Sequence, residues 1–163
     1  MTSTDGHEIP LVAEISAAET HPLRLAVLRH NVPTRVVVFP EDGLPGTVHL
    51  GVHVSGHLVA VSSWIPRPYG DVSAVQLRGM ATSHDWQGAG IGGLLLHAGC
   101  ARAVRGGYDM VWARARDAAL EFYQRHGFVV EGDGFIDADT QLPHHVVVRR
   151  LDRSEDGTAL QMP

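Results

Sequence analysis

The chain has little of what several specialised architectures require. Its single cysteine, Cys100, excludes a disulfide framework and a thiolate zinc site, and the apolar helical pattern around it marks a buried small hydrophobe. Charged residues are slightly sparse and the net charge is −5, which argues against a nucleic-acid surface or a polybasic membrane patch. No apolar run is long enough to cross a bilayer, and Met1 to Pro10 has no basic region followed by an apolar stretch. A cytoplasmic protein is therefore expected. The eleven histidines raise the question of a metal. His49 and His53 share one face of a strand and His57 follows the turn, but no carboxylate or cysteine is spaced to complete a ligand set, so no metal is expected. What these absences leave is one domain, residues 7–151, between flexible polar tails at 1–6 and 152–163, with small-molecule chemistry as the leading class.

The most telling stretch that is present is Gln87-Gly88-Ala89-Gly90-Ile91-Gly92-Gly93, which places four glycines between a strand from Ser73 to Thr82 and an amphipathic run from Ile91 to Val104. Glycine lets a backbone approach a ligand closely, and a helix beginning there aims free N–H groups and a positive dipole end at an anion. A tight turn would read the same way. A nucleoside triphosphate loop would continue with Lys and then Ser or Thr, whereas Leu94, Leu95 and Leu96 follow here. Gly88, Gly90 and Gly93 satisfy the spacing of a dinucleotide fingerprint. However, Asp109 begins the next apolar run instead of ending it, and no matching βαβ unit precedes the loop.

Along the rest of the chain, Ile9 to Ile15 alternates as a first strand, and Ser16 can cap a helix bearing Leu23, Val27 and Leu28. Pro22 must then lie in that helix's first turn or break it. Arg35 to Phe39 is short and β-branched, and Pro40 to Gly46 reads as a loop. Strict alternation from Thr47, a Ser55-Gly56 turn and a return from Leu58 to Ile65 predict a hairpin. Ile91, Leu94, Leu95, Ala98, Ala101 and Val104 form a helical stripe ended by Gly106-Gly107. A strand at Met110 to Ala115, a short helix at Asp117 to His126, a strand starting at Phe128 to Glu131 and a last apolar run at Val146 to Leu151 complete an α+β domain with a mixed sheet.

Two motifs in this order resemble the GNAT superfamily of N-acetyltransferases: Gln87-x-x-Gly90-x-Gly92 after one strand, and Ala119-x-x-Phe122-Tyr123-x-x-x-Gly127-Phe128 after the next. Leu77-Arg78-Gly79-Met80-Ala81-Thr82, Ala115-Arg116, Pro143-His144, Pro22-Leu23-Arg24 and His49-Leu50-Gly51 are similar to a branch of small bacterial members. The resemblance implies a mixed central sheet of about six to seven strands flanked by about four helices, with splayed parallel strands forming the cofactor cleft. It implies acetyl-CoA as acyl donor. Main-chain groups of Met80, Ala81 and Thr82 would pair with the pantetheine arm, and the N–H groups of Gly88, Ala89, Gly90, Ile91, Gly92 and Gly93 would hold the pyrophosphate. Gln87 stands where the family often has arginine, and Arg116 where it often has asparagine. With Ala119 and Tyr123, these complete the expected cofactor set. A bulky residue at Gly90 or Gly92 is expected to block cofactor binding.

The chemistry so implied is transfer of an acetyl group to a primary amine of a small molecule by direct attack in a ternary complex; the alternative is a non-catalytic acyl-CoA sensor or interaction module. Tyr123 is the expected general acid towards the departing thiolate, and a backbone N–H near Met80 to Thr82 the expected oxyanion donor. An amine with a pKa of about 10 must lose a proton, so a base is required. Glu131, Asp137, His144 and His145 are the candidates, with His144 or Glu131 preferred. Trp64 and Tyr69 are candidates for the acceptor pocket or for plain packing. The acceptor would be shaped by Pro40 to Gly46, Pro66 to Asp71 and Gly132 to His145. No nucleic-acid or membrane partner is expected, and an exposed edge strand offers a surface for a homodimer.

Overall fold

The computed structural model describes residues 8–152, so the two expected tails, Asp152 apart, lie outside the described residues. Strand β1 (Leu11–Ile15) leads to helix α1 (Ala17–Leu23) through a capping box at Ser16. The Ser16 hydroxyl accepts from the Glu19 N–H at 3.2 Å, and the Glu19 carboxylate accepts from the Ser16 N–H at 2.9 Å. Pro22 lies near the end of α1 and not in its first turn. Lacking an N–H and crowding the carbonyl four residues back, it ends the α geometry, and the chain continues as a wider π turn over Arg24–Leu28. That turn carries Arg24 fully into the interior.

The β-branched run at 35–39 forms no strand, and Pro40–Gly43 is a short 3-10 turn. Two arginines occupy carbonyls that a neighbouring strand would otherwise use: Arg29 Nε donates to Val36 O and Arg24 Nη1 to Val37 O, both at 2.7 Å.

The predicted hairpin is β2 (Val48–Val54) and β3 (His57–Pro66), turned by Ser55 and Gly56 with φ of 48° and 78°. Two consecutive left-handed residues match a type I′ turn, whose twist suits the flanking strands. Then follow β4 (Ala74–Thr82), α2 (Ile91–Arg105), β5 (Met110–Arg116), α3 (Leu120–Arg125), β6 (Val129–Ile136) and β7 (Pro143–Arg150). The strands form one mixed seven-stranded sheet in the order β1-β2-β3-β4-β5-β7-β6, in which only β4 and β5 pair in parallel. Among the described residues three α-helices accompany it, one fewer than the resemblance implied.

Helix α2 presses Ile91, Leu95, Leu96 and Cys100 onto Leu50, Val52, Val75, Leu77 and Val111 of the sheet, and Cys100 is buried as its sequence context implied. Each such aliphatic side chain contributes roughly 1.5–3 kcal/mol on burial. The close approach depends on Gly99: a Cβ there would fall 1.9 Å from the Trp64 ring. Trp64 is thus a packing residue on the helix side of the sheet, its indole N–H donating to Ser62 Oγ at 2.9 Å.

Candidate active site

The parallel pair holds only from Ala74↔Met110 to Gln76↔Trp112, after which β4 and β5 part. A bulge accounts for the parting. Val61↔Ala81 and Ser63↔Arg78 are successive registered pairs, so β4 carries one residue more than β3 between them. An inserted residue bends its strand and strengthens the local twist. Gly79 sits in that bulge with φ +65°, and a Cβ there would lie 3.0 Å from Phe39 and 3.2 Å from Arg24 Nε. Both the left-handed backbone and the tight packing demand glycine.

Above the split lies the glycine loop. Gln87 anchors it by donating from Nε2 to the Thr82 carbonyl at 3.0 Å. Gly88 and Gly90 take φ of +79° and +81°, and a Cβ at either would meet nothing within 4 Å, so the loop needs their conformation and leaves open space over its backbone. Gly90 is the N-cap of α2 and no side chain caps the helix. The first N–H groups of α2, from Ile91 to Gly93, have no intrahelical acceptor. Gly92 and Gly93 are glycines for another reason. Cβ atoms there would meet Phe122 at 3.0 Å and His126 Nε2 at 2.8 Å, so they let α3 lie against α2. Gly90 thus shapes the loop, and Gly92 also seats a helix.

Where the strands part there is a cavity of about 300 Å³. Met80, Arg116, Ala119, Tyr123, Asp137 and His144 line it, whereas Ala81 and Thr82 continue β4 in register with Val61 and Ala60 beyond it. Tyr123 is buried between Phe122 and Phe128, each ring edge-on at 5.4 and 5.2 Å, and burial pushes its phenol up to about 12. His144 Nδ1 lies 2.9 Å from the Leu142 carbonyl. A carbonyl can only accept, so the neutral ring carries its proton on Nδ1 and keeps the Nε2 lone pair free. The ring stacks on Phe135 at 5.7 Å.

The other candidates separate. Glu131 is exposed on β6 beside the Tyr69 hydroxyl and does not line the cavity. His145, one residue along β7 from His144, lies 2.7 Å from Asp117 Oδ1 and is also outside it. Burial pushes the Asp137 carboxyl up, but hydrogen bonds from the Thr140 N–H and hydroxyl, with His144 and Arg114 nearby, hold it below the usual range. Arg116 is on the cavity wall, donating from Nη2 to Leu28 O at 2.6 Å. Tyr69 packs on Trp112 at 5.4 Å, outside the lining.

Two groups of residues escaped the sequence reading. One is a set of arginines, Arg29, Arg67, Arg78 and Arg114, which line the cavity with Arg116. The other is the interior scaffold behind it. Arg24 forks onto Asp42 with two 2.8 Å hydrogen bonds, donates to Ser63 Oγ at 2.8 Å, and lies 3.9 Å from the centre of the Phe39 ring. Having accepted from Arg24, the Ser63 hydroxyl turns its hydrogen to His49 Nδ1, 2.7 Å away. The Pro22-Leu23-Arg24 and His49-Leu50-Gly51 stretches thus meet at one serine, which their separation in sequence concealed.

A sheet split beside a bulge, with an uncapped helix N-terminus on one side and a cavity holding a phenol and an imidazole on the other, fits the cleft of an acyltransferase. The acetyltransferase (GNAT) domain model matches residues 36–130, and the chain belongs to this family. Over 127 residues it is 29% identical to the uncharacterized N-acetyltransferase YitI of Bacillus subtilis, covering 76% of this chain and 85% of that protein. The fold is shared with Escherichia coli ElaA at TM-score 0.72 and 19% identity, over 86% of this chain and 99% of that one. It is shared also with an acyl-CoA N-acyltransferase from Pseudomonas aeruginosa at TM-score 0.71 and 22% identity, again over 86% and 99%. Among the described residues, no helix is long and apolar enough to cross a membrane.

Proposed function

We propose that the protein is an acetyl-CoA-dependent N-acetyltransferase acting on the primary amine of a small molecule in a ternary complex. The observation that carries this reading is that Tyr123 and His144 line the one cavity at which β4 and β5 part. The open left-handed backbone at Gly88 and Gly90 and the uncapped start of α2 fit a pyrophosphate, since oriented N–H groups and a helix dipole favour an anion. The edge of β4 from Met80 to Thr82 has no β5 partner, so its main chain suits an extended pantetheine arm.

Acetyl-CoA supplies a thioester carbonyl and a thiolate leaving group. His144 Nε2 takes the proton of the acceptor's ammonium, and the Nδ1 contact to Leu142 fixes the tautomer that leaves this atom basic. A main-chain N–H near Met80 holds the developing oxyanion. Tyr123 keeps its proton through the neutral range because burial disfavours the phenolate. That proton passes to the departing thiolate, and the phenolate is reprotonated by the surplus proton on the nitrogen of the new amide.

The test is release of free thiol from acetyl-CoA with a panel of amines. Tyr123→Phe should lower kcat by roughly 10²- to 10⁴-fold while CoA affinity is kept. An unchanged rate would remove the acid role. CoA binding with no turnover of any amine would instead favour a sensor.

A further inference from the structure

All thirteen basic residues of this chain are arginines, and five of them, Arg29, Arg67, Arg78, Arg114 and Arg116, line the single cavity described above. Three of the five have carboxylate partners. Arg78 Nη1 is 2.7 Å and Arg67 Nη1 3.6 Å from Glu41, and Arg114 Nη2 is 3.8 Å from Asp137. No carboxylate among the described residues pairs with Arg29 or Arg116. Among the described residues, the hydrogen bonds they make are to main-chain carbonyls, Arg29 Nε to Val36 O at 2.7 Å and Arg116 Nη2 to Leu28 O at 2.6 Å. Each contact spends one N–H direction and fixes the guanidinium plane, leaving the other donors without a carboxylate.

Arg29 is only 7% exposed and Arg116 is part-buried, and a partly desolvated cation with no carboxylate partner favours an anion placed beside it. Both guanidiniums are held below the ordinary arginine value, first by burial; Arg29 is further lowered by Arg116 and Arg78, against weaker opposition from Asp139 and Asp137. The facing carboxylates do not resolve the imbalance. Glu41 is engaged by Arg67 and Arg78, and Asp137 by Thr140 and Arg114, which leaves Asp139 against two cations.

Resting on the acyltransferase reading, we infer that Arg29 and Arg116 form an anion-binding subsite that selects acceptors carrying a carboxylate beside the reacting amine, and that they exclude polyamines. A planar guanidinium with free donors suits a carboxylate, and two of them offer more contacts than a neutral amide could use. A polycationic acceptor would place further positive charge against this wall. Arg29 comes from the segment after the π turn and Arg116 from the end of β5, so the subsite spans the cavity from two separate elements.

The experiment measures binding of product-like probes to the CoA-loaded protein by calorimetry: N-acetylated amino acids, their carboxamides, and an N-acetylated diamine. The carboxylates should bind tighter than the matching carboxamides by on the order of 10- to 100-fold, and the diamine weakest. Arg29→Gln and Arg116→Gln should each erase most of that preference, and Arg29→Lys should retain part of it. CoA affinity of the free protein should be the same in the wild type and Arg29→Gln. Equal binding of carboxylate and carboxamide, no binding throughout the panel, or tighter binding of the diamine would each overturn the inference. So would Arg29→Gln weakening CoA, because the cations would then serve a cofactor phosphate. The wild-type comparison stands even if a variant fails to fold. Turnover is read separately: carboxylates that bind but are never acetylated as free amines would sink the acyltransferase reading and leave the anion subsite standing.

Discussion

The two halves of the cleft are made of different material. The half proposed for the acyl donor, from Gly79 to Gly93, is mostly main chain: a bulge, an unpaired strand edge, two left-handed glycines and an uncapped helix start. The half proposed for the acceptor is mostly side chain, an arginine-lined wall drawn from the segments that follow the π turn and β3, from β4 and β5, and from the β6–β7 connection, and it is held in place by the buried Arg24–Asp42 fork. A site made of backbone has to be written in consecutive residues, because only local sequence dictates φ. A site made of side chains can be assembled from positions far apart. The comparison therefore predicts that donor binding is broken by adding side chains and acceptor binding by removing them.

The largest effect should come from removing a side chain behind the acceptor wall. Arg24→Met leaves the Asp42 carboxylate buried without its partner, at about 3–5 kcal/mol, or roughly 10 °C in melting temperature. Its pH dependence checks the cause. In the native protein burial pushes the Asp42 carboxyl up, but Arg24, the Phe39 N–H and His49 outweigh it and hold it below the usual range. A carboxyl lowered on folding stabilises above its unfolded pKa, about 4, and loses that contribution as pH falls through the folded value. The gap between native protein and Arg24→Met should accordingly narrow below about pH 4 in urea titrations. A gap independent of pH would mean that Arg24 acts by packing alone.

Adding side chains to the donor half should have smaller and divergent effects. Gly90→Ala forces a left-handed conformation on an L residue, a strain of about 1–2 kcal/mol, in a loop with room for the methyl group. The loss should appear in CoA affinity, as the loop relaxes away from the strained shape. Gly92→Ala must displace Phe122, so its loss of about 1–3 kcal/mol should appear in the melting temperature. If both substitutions lowered only CoA affinity, the division between loop-shaping and helix-seating glycines would be wrong.

The same division explains what could be read from sequence. The hairpin, the β4–α2–β5 unit and the mixed sheet were legible because alternation, helical spacing and glycine punctuation are local signals. So was the loop, since Gln87-x-x-Gly90-x-Gly92 and Phe122-Tyr123 lie on adjoining elements. Pro22 gave notice of a break but not of its form, because a π turn is stabilised by what Arg24 reaches in the interior. The β-branched run at 35–39 looked like strand material and is irregular, since the arginines that take its carbonyls lie 13 and 7 residues away in sequence. Glu131 and His145 could not be told from His144 until the pairing of β6 and β7 set which residues face the cavity.

The smallest expected effect concerns Gln87, whose side chain ties the glycine loop to β4. Its amide is exposed and donates to the Thr82 carbonyl at 3.0 Å, with His84 Nδ1 a longer second partner at 3.4 Å, contacts of about 0.5–1.5 kcal/mol each. Gln87→Ala should thus weaken CoA by less than about tenfold, leaving the loop's φ values to its glycines. Gln87→Arg separates the two things a side chain could do at this position. It introduces a positive charge but sacrifices the carboxamide geometry, so any gain in affinity should fade as salt rises from 50 to 500 mM, where screening shortens the reach of an exposed charge to roughly 5 Å. A salt-independent gain would mean that the arginine contacts the ligand directly. A loss from Gln87→Ala well beyond tenfold would mean that the donor half, like the acceptor half, rests on its side chains.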